Sequence, residues 1–283
     1  FMSLKRNYLL ALELVTFSHT LFILPLILSG YFIVYKKILL LDIFLIILAA
    51  ISARTIGMLF NRIIDNEIDF KNPRTSSRPI PSGRASKNFV FLLLFFSISI
   101  YLLSCWLICD FVFILSPIPL LLFIVYPYTK RFTAFCHFFL GLALSIGPIA
   151  GGLAATCDLT GLYLTLPIGI FTFFWISGFD ILYALQDYQH DIRNDIFSVP
   201  SIYGINNAIK ISSVCFIISL IAICYYSFIY TFNFLSIFII LIILMNYIFQ
   251  IIHSLRNNYS FFKYNSYIGI LILILVISDI LFI

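Results

Sequence analysis

The chain has 283 residues, of which 62% are hydrophobic and 10% charged, with a mean hydropathy of +1.09 and a net charge of +5. A soluble domain of this length carries far more charge, and the apolar runs are too long for the short alternating strands of a membrane β-barrel. The composition leaves a polytopic, all-α membrane protein, and nothing in the charge pattern suggests a nucleic-acid partner.

Hydropathy predicts about nine transmembrane helices, roughly at 12–34, 41–64, 88–108, 110–127, 134–155, 162–183, 209–230, 233–253 and 265–283. The first contains His19 and Pro25, and no small-residue cleavage site follows it, so it is expected to remain as a span. No linker-like or low-complexity stretch divides the chain, so residues 1–283 are expected to form a single transmembrane domain. The basic loop residues fall mostly on one side: Lys5 and Arg6, then Lys71, Arg74, Arg78, Arg84 and Lys87, then Lys130 and Arg131, then Arg193, then Arg256 and Lys263. Only Lys36 and Lys37 stand in a loop on the other. The positive-inside rule therefore predicts a cytoplasmic amino terminus and cytoplasmic loops after the second, fourth, sixth and eighth spans. The six cysteines (Cys105, Cys109, Cys136, Cys157, Cys215 and Cys224) form no CxxC pair. They are expected to act as small apolar residues rather than as disulfides or metal ligands.

Seven of the twelve acidic residues lie in two short runs. The first holds Asp65, Glu67 and Asp69 at the end of the second span. The second holds Asp180, Asp187, Asp191 and Asp195 at the end of the sixth. Both runs fall on the predicted cytoplasmic side. Asn61, Asp65 and Asp69 are spaced i, i+4, i+8, which places them on one helical face. Asp180, Tyr183, Asp187 and Asp191 are spaced i, i+3, i+7, i+11, again one face. Stacked carboxylates repel, and the repulsion grows when they are desolvated, so a cation is expected among them. Oxygen ligands without a His/Cys cluster point to Mg²⁺, which binds through one or two carboxylates and phosphate oxygens. Two such helix ends would clamp a diphosphate through metal ions. A solvated acidic loop is the lesser reading of either run alone, and it accounts much less well for the pair. Arg74, Arg78, Lys130 and Arg131 lie in loops on the same side and could meet phosphate or carboxylate oxygens. Arg54 sits inside the second span, on the face of Asn61, where a buried guanidinium requires a partner. Arg84, Lys87, Arg256 and Lys263 read as topological anchors, and Glu67 as a solvated neighbour.

The segment Asn61-x-x-x-Asp65-x-x-x-Asp69, followed by Asn72-Pro-Arg-Thr-Ser-Ser-Arg-Pro-Ile-Pro-Ser-Gly83, resembles the first signature of the UbiA superfamily of membrane prenyltransferases. Asp180-x-x-Tyr183-Ala184-x-x-Asp187-x-x-x-Asp191 resembles the second. Tyr126-Pro-Tyr-Thr-Lys130-Arg131-Phe-Thr133 is similar to the family's loop after the fourth span, and Gly147-Pro148 with Gly151 to its fifth span. Arg62 departs from the usual pattern without altering the Asn/Asp spacing. The resemblance, strongest to the 4-hydroxybenzoate polyprenyltransferase type, implies helices around a central cavity. It implies Mg²⁺ held by Asn61, Asp65, Asp69, Asp187 and Asp191, and a polyprenyl diphosphate donor. It also implies an aromatic acid acceptor whose carboxylate Arg131 holds. Asp180 and Tyr183 are second-rank candidates for the substrate site, with packing an equal alternative. His190, beside Asp191, reads either as a neighbour of the metals or as solvated.

Two other readings stay open. A branch of the same superfamily prenylates a naphthoic acid in the futalosine route to menaquinone, and the first-span His19-Thr20 and Asn61-Arg-Ile-Ile-Asp65 suit it. A transporter would also use intramembrane charges, but it leaves paired Mg²⁺-type motifs at one membrane face unexplained. The resemblance implies an inner-membrane enzyme with a cytoplasmic active site.

Overall fold

A computed structural model describes residues 2–15, 20–34, 39–230, 233–256 and 262–281. His19, Lys36 and Lys37 lie outside these residues. Among the described residues every regular element is helical. Seven helical stretches are long and apolar enough to cross a membrane, and shorter apolar helices at Ile23–Val34 and Tyr267–Ser278 stand where the first and last spans are expected. The chain divides into two compact units. One gathers Phe1–Leu21 and Leu40–Tyr128, the other Phe22–Leu39 and Thr129–Ile283.

The first unit contains α1 (Met2–Val15), α3 (Leu40–Ile64), α4 (Asn66–Lys71), α5 (Lys87–Ile108), α6 (Asp110–Leu115) and α7 (Pro117–Thr129), with α2 (Thr20–Val34) intervening in sequence. Helix α5 packs on α3 with an inverted pattern. It buries Ser97, Tyr101 and Ser104 and exposes Phe91, Phe95, Phe96 and Trp106. Such an arrangement suits lipid as the solvent, because hydrocarbon accepts the aromatic rings while the hydroxyls must be satisfied inside. They are: Ser97 and Ser104 donate to the carbonyls of Leu93 and Ile100 at 2.8 Å each, and the Tyr101 hydroxyl donates to the Ser116 carbonyl at 3.2 Å. The expected fourth span is split at Ser116 into α6 and α7. Pro117 and Pro119 remove two amide donors there, and a missing amide donor costs least in the first turn of a helix.

The second unit contains α2, α8 (Cys136–Thr156), α9 (Thr160–Ala184), α10 (Tyr188–Arg193), α11 (Val199–Tyr203), α12 (Ile205–Tyr230), α13 (Phe234–Leu255) and α14 (Phe262–Leu281). Its core is α9, which packs on both α8 and α12 and buries Ile168, Phe171, Trp175, Ile176, Phe179 and Leu182. The α12–α13 contact centres on a stacked pair, Phe216 on Tyr247, with ring centroids 4.1 Å apart. Helices α2 and α8 approach so closely that a Cβ on Gly151 would overlap the Ile27 carbonyl, and one on Gly30 the Pro148 carbonyl. Small residues are the usual means of bringing helix backbones together in a membrane.

One expectation is corrected. In the first unit Cys109 is disulfide-bonded and Cys105 is free; in the second Cys157 is disulfide-bonded and Cys136, Cys215 and Cys224 are free. Both bonded residues stand at helix ends, outside the apolar runs that suggested a packing role. Cys109 is extended between α5 and α6, and Cys157 closes α8 in the left-handed region at φ 55°.

Candidate active site

The first acidic run is assembled where α3 hands over to α4. The helical register survives the junction: the Asp65 amide donates to the Asn61 carbonyl at 2.9 Å and the Asp69 amide to the Asp65 carbonyl at 2.8 Å. Asn61, Asp65 and Asp69 therefore follow one another at one-turn intervals, as their spacing predicts. Asp65 and Asp69 are buried and Glu67 is exposed. The Asn61 Nδ2 amide donates to Asp65 Oδ2 at 2.7 Å, so the Asn61 side-chain carbonyl keeps its lone pairs available.

Beyond α4 the chain folds as a string of turns. Buried Asn72 starts it by accepting the Arg74 amide at Oδ1 (3.0 Å), and the Thr75 hydroxyl donates back to the Asp69 carbonyl (3.0 Å). Gly83, at φ 72°, and the Ala85 amide, bonded to the Pro79 carbonyl, close the segment. These turns return Arg78 to the acidic face. Its Nη1 donates to both Asp69 oxygens, at 2.7 and 2.8 Å. Because one nitrogen bridges both oxygens, Nε and Nη2 of Arg78 are left without a protein acceptor among the described residues. Arg62, set aside in the sequence as a harmless departure, is buried with Nη1 3.7 Å from Asp69 Oδ2. Arg74 is exposed. Arg54 lies two turns up α3, with its Nε buried and making no hydrogen bond. Arg84 forks onto Glu13 at 2.8 and 2.6 Å, which raises its pKa above the ordinary arginine value and ties the loop to α1.

The second run is broken up more than its spacing suggests. Helix α9 ends at Ala184, a single 3₁₀ turn spans Leu185–Asp187, and α10 follows. The tighter turn changes the rotation per residue, so Asp180 and Asp191 acquire different partners. Asp180 Oδ2 lies 2.7 Å from Nδ1 of His137, a buried residue of α8. His137 Nε2 accepts the Val199 amide at 3.2 Å. A backbone N–H can only donate, so Nε2 holds the lone pair and the proton sits on Nδ1, facing Asp180. Buried Asp191 accepts the Ser198 hydroxyl on Oδ2 at 3.0 Å, while its Oδ1 lies 3.7 Å from His190 Nδ1. Both ring nitrogens of His190 are buried without a hydrogen bond. Ser198 also begins α11 through a reciprocal capping box with Ser201. Asp187 precedes α10 by one residue and Asp191 lies within it, one turn later. The half-buried Tyr183 packs against Phe179, with ring centroids 6.0 Å apart. The turn between α7 and α8 carries Lys130 and exposed Arg131, and the Lys130 carbonyl accepts the Phe197 amide at 2.8 Å.

The residues brought together in the first unit are Asn61, Asp65, Asp69, Arg62 and Arg78. In the second they are Asp180 with His137 and Asp191 with Ser198. His137, Ser198 and Arg62 carry no motif signal of their own. His137 is a lone histidine in an apolar helix whose partners stand in α9 and α11, so nothing local announces it.

Among the described residues no three Asp, Glu, His or Cys side chains converge into a metal cage. Mg²⁺ does not require one, since it keeps several waters and takes one or two carboxylates together with phosphate oxygens. Each unit by itself offers only oxygen donors at its acidic run: the Asn61 carbonyl and the Asp65 and Asp69 carboxylates in the first, the Asp187 and Asp191 carboxylates in the second. Such donors fit that ion.

Residues 22–267 match the model of the UbiA prenyltransferase family. The 4-hydroxybenzoate octaprenyltransferase of Vesicomyosocius okutanii subsp. Calyptogena okutanii (strain HA) is 31% identical over 238 residues, spanning 81% of this chain and 84% of that protein. The chain belongs to the UbiA prenyltransferase family. Another UbiA-type relative, the 4-hydroxybenzoate octaprenyltransferase of Legionella pneumophila (strain Paris), is 34% identical over 159 residues, 56% of this chain and 55% of that one. Among solved structures, the apo UbiA homolog from Aeropyrum pernix K1 superposes with a TM-score of 0.83 at 25% identity, covering 92% of this chain and 98% of that one. A UbiA homolog from Archaeoglobus fulgidus, bound to GPP and Mg²⁺, shares the fold with a TM-score of 0.70 at 17% identity, over 96% of this chain and 99% of the other. The UbiA membership and the seven long apolar helices together make this an integral membrane protein.

Proposed function

We propose that this aromatic prenyltransferase moves a polyprenyl group from polyprenyl diphosphate to an aromatic acid of the 4-hydroxybenzoate type, with Mg²⁺, in quinone biosynthesis at the inner membrane. The observation that carries the reading is the Asn61–Asp65–Asp69 ladder, with both carboxylates buried and Arg78 delivered onto it. In the first unit Asn61, Asp65 and Asp69 hold metal; in the second Asp187 and Asp191 do so, with Ser198 orienting Asp191. When bound, Mg²⁺ supplies neutralisation for the oxygens of the departing diphosphate.

Arg78 is anchored to Asp69 through one nitrogen and presents its other edge to a phosphate oxygen, the bidentate geometry that favours arginine over lysine. In the first unit Arg74 adds positive charge for a phosphate and Arg54 a further guanidinium within the span; in the second Lys130 adds positive charge for a phosphate. The allylic C–O bond breaks with its electron pair leaving on diphosphate. The allylic cation is attacked by the ring, a C–C bond forms, and the ring proton is lost to a base. The stabilisation is greatest where water is excluded and donors are fixed in advance. Arg131 holds the acceptor carboxylate, and Asp180, oriented by His137, together with Tyr183 borders the substrate. The active site faces the cytoplasm, as the basic loops suggest.

The purified chain, supplied with Mg²⁺ and a polyprenyl diphosphate, is predicted to prenylate 4-hydroxybenzoate in preference to a naphthoic acid. Product formed only on the naphthoate would replace the proposed acceptor by that of the menaquinone route.

A further inference from the structure

A cleft of about 530 Å³ opens in the second unit where α12 begins, walled by Tyr203, Gly204, Asn206, Asn207, Ser254 and Leu255 among others. Two independent features mark it. The first is the start of a 26-residue helix. Gly204, at φ 80°, precedes it and has no side chain to cap it. The Ala208 amide bonds the Gly204 carbonyl at 3.0 Å, so the amides of Ile205, Asn206 and Asn207 come before the first intrahelical bond. Those groups have no acceptor within the helix, and the aligned peptide dipoles leave that end partly positive.

The second feature is Ser254, near the carboxyl end of α13. It is 1% exposed and its hydroxyl makes no hydrogen bond. Helical serines usually return their proton to a carbonyl one turn back, as Ser177 and Ser213 do here at 2.7 and 2.8 Å. Ser254 does not, and it lines the cleft. The side-chain amide of Asn207 donates to the Tyr203 carbonyl at 3.0 Å, whereas the Asn206 side chain is exposed. No acidic residue is among the described lining residues. Exposed Lys210 lies one turn along α12, and exposed Arg256 follows Leu255.

We propose that this cleft binds a phosphate oxyanion, received by the first-turn amides of α12, the Asn206 amide and the Ser254 hydroxyl. Donors without a competing carboxylate select an anion, and a helix start is a recurrent phosphate site. The cleft stands at the adjoining ends of two membrane-spanning helices, the depth at which headgroups lie. A phosphate there comes from an anionic lipid or from free phosphate, and one experiment separates the two.

The full chain, in a non-ionic detergent at fixed ionic strength, is heated with increasing inorganic phosphate, or with a short-chain phosphatidic acid against the matching diacylglycerol. A saturable rise in Tm is expected from at least one phosphate-bearing probe. A rise from phosphatidic acid alone assigns a lipid headgroup; a rise from inorganic phosphate assigns the free anion. Asn206→Asp, which places a negative charge at the site, and Ser254→Ala are each expected to raise the half-saturating concentration about tenfold, the loss of one charge-assisted hydrogen bond. Ser254→Ala removes only an unpartnered hydroxyl, so its Tm without probe should equal that of the parent. No saturable rise with either probe, or half-saturation unchanged in both variants, overturns the proposal. A second phosphate site elsewhere would produce the latter result.

Discussion

Arg78→Ala removes the guanidinium that bridges both oxygens of Asp69. The Asp69 side chain is 7% exposed and that of Arg78 28%. Breaking a wholly buried ion pair from one side costs about 3–5 kcal/mol, because a charge is left stranded. Two features reduce this. Arg78 is partly solvated, and Arg62 remains 3.7 Å from Asp69. We therefore predict a loss of about 1–3 kcal/mol. The turn that carries Arg78 should survive, because its amide and carbonyl bond Thr75 and Ser82 through the backbone. The assay is reversible unfolding in mixed micelles of Arg78→Ala, Asp69→Asn and the double variant, with a coupling of about 1 kcal/mol or more expected for a direct contact. Arg78→Lys sharpens the test. One ammonium can replace one Nη1 against Asp69, so Arg78→Lys should regain most of the stability. It has no second edge for phosphate, so prenyl transfer should stay low. A parent-like stability for Arg78→Ala, or coupling below about 0.3 kcal/mol, would refute the reasoning.

Two further predictions concern the second unit. Ser198→Ala deletes both a helix cap and the hydrogen bond to Asp191, and should cost about 1 kcal/mol while lowering the rate of prenyl transfer. Unchanged kcat in a folded Ser198→Ala protein would remove Ser198 from the account. Gly151→Ala sets a methyl against the Ile27 carbonyl, where only backbone movement relieves the overlap. It should cost about 1–3 kcal/mol, read as a lower Tm, and a Tm equal to the parent would contradict the close α2–α8 approach.

Much of the fold is legible in the sequence because lipid imposes a single requirement: a long apolar helix. Helices α3, α5 and α13 fall within a few residues of their hydropathy windows. The first run is legible for a local reason, since Asn61, Asp65 and Asp69 are one turn apart and the chain stays helical through them. The second run is less so. The 3₁₀ turn at Leu185–Asp187 leaves no hydropathy signal, yet it ends the shared face expected of Asp180 through Asp191. His137 and Ser198 act on carboxylates through tertiary contacts, and a contact to a distant helix has no period in the sequence. Arg62 is the opposite case, a visible charge that the ligand spacing ignores and that burial places against Asp69. The state of Cys109 and Cys157 is not legible, because composition describes the apolar runs beside them rather than the helix ends at which they stand.

The central claim is tested most directly by product formation. The purified chain is incubated with polyprenyl diphosphate and 4-hydroxybenzoate, with Mg²⁺ or with chelator, alongside folded Asp65→Asn and Asp187→Asn variants, and prenylated acid is measured by mass spectrometry. Prenylated product from the parent with Mg²⁺, and its loss in the chelated sample and in both variants, is the predicted result. Full product formation in either variant, or in the presence of chelator, would contradict it.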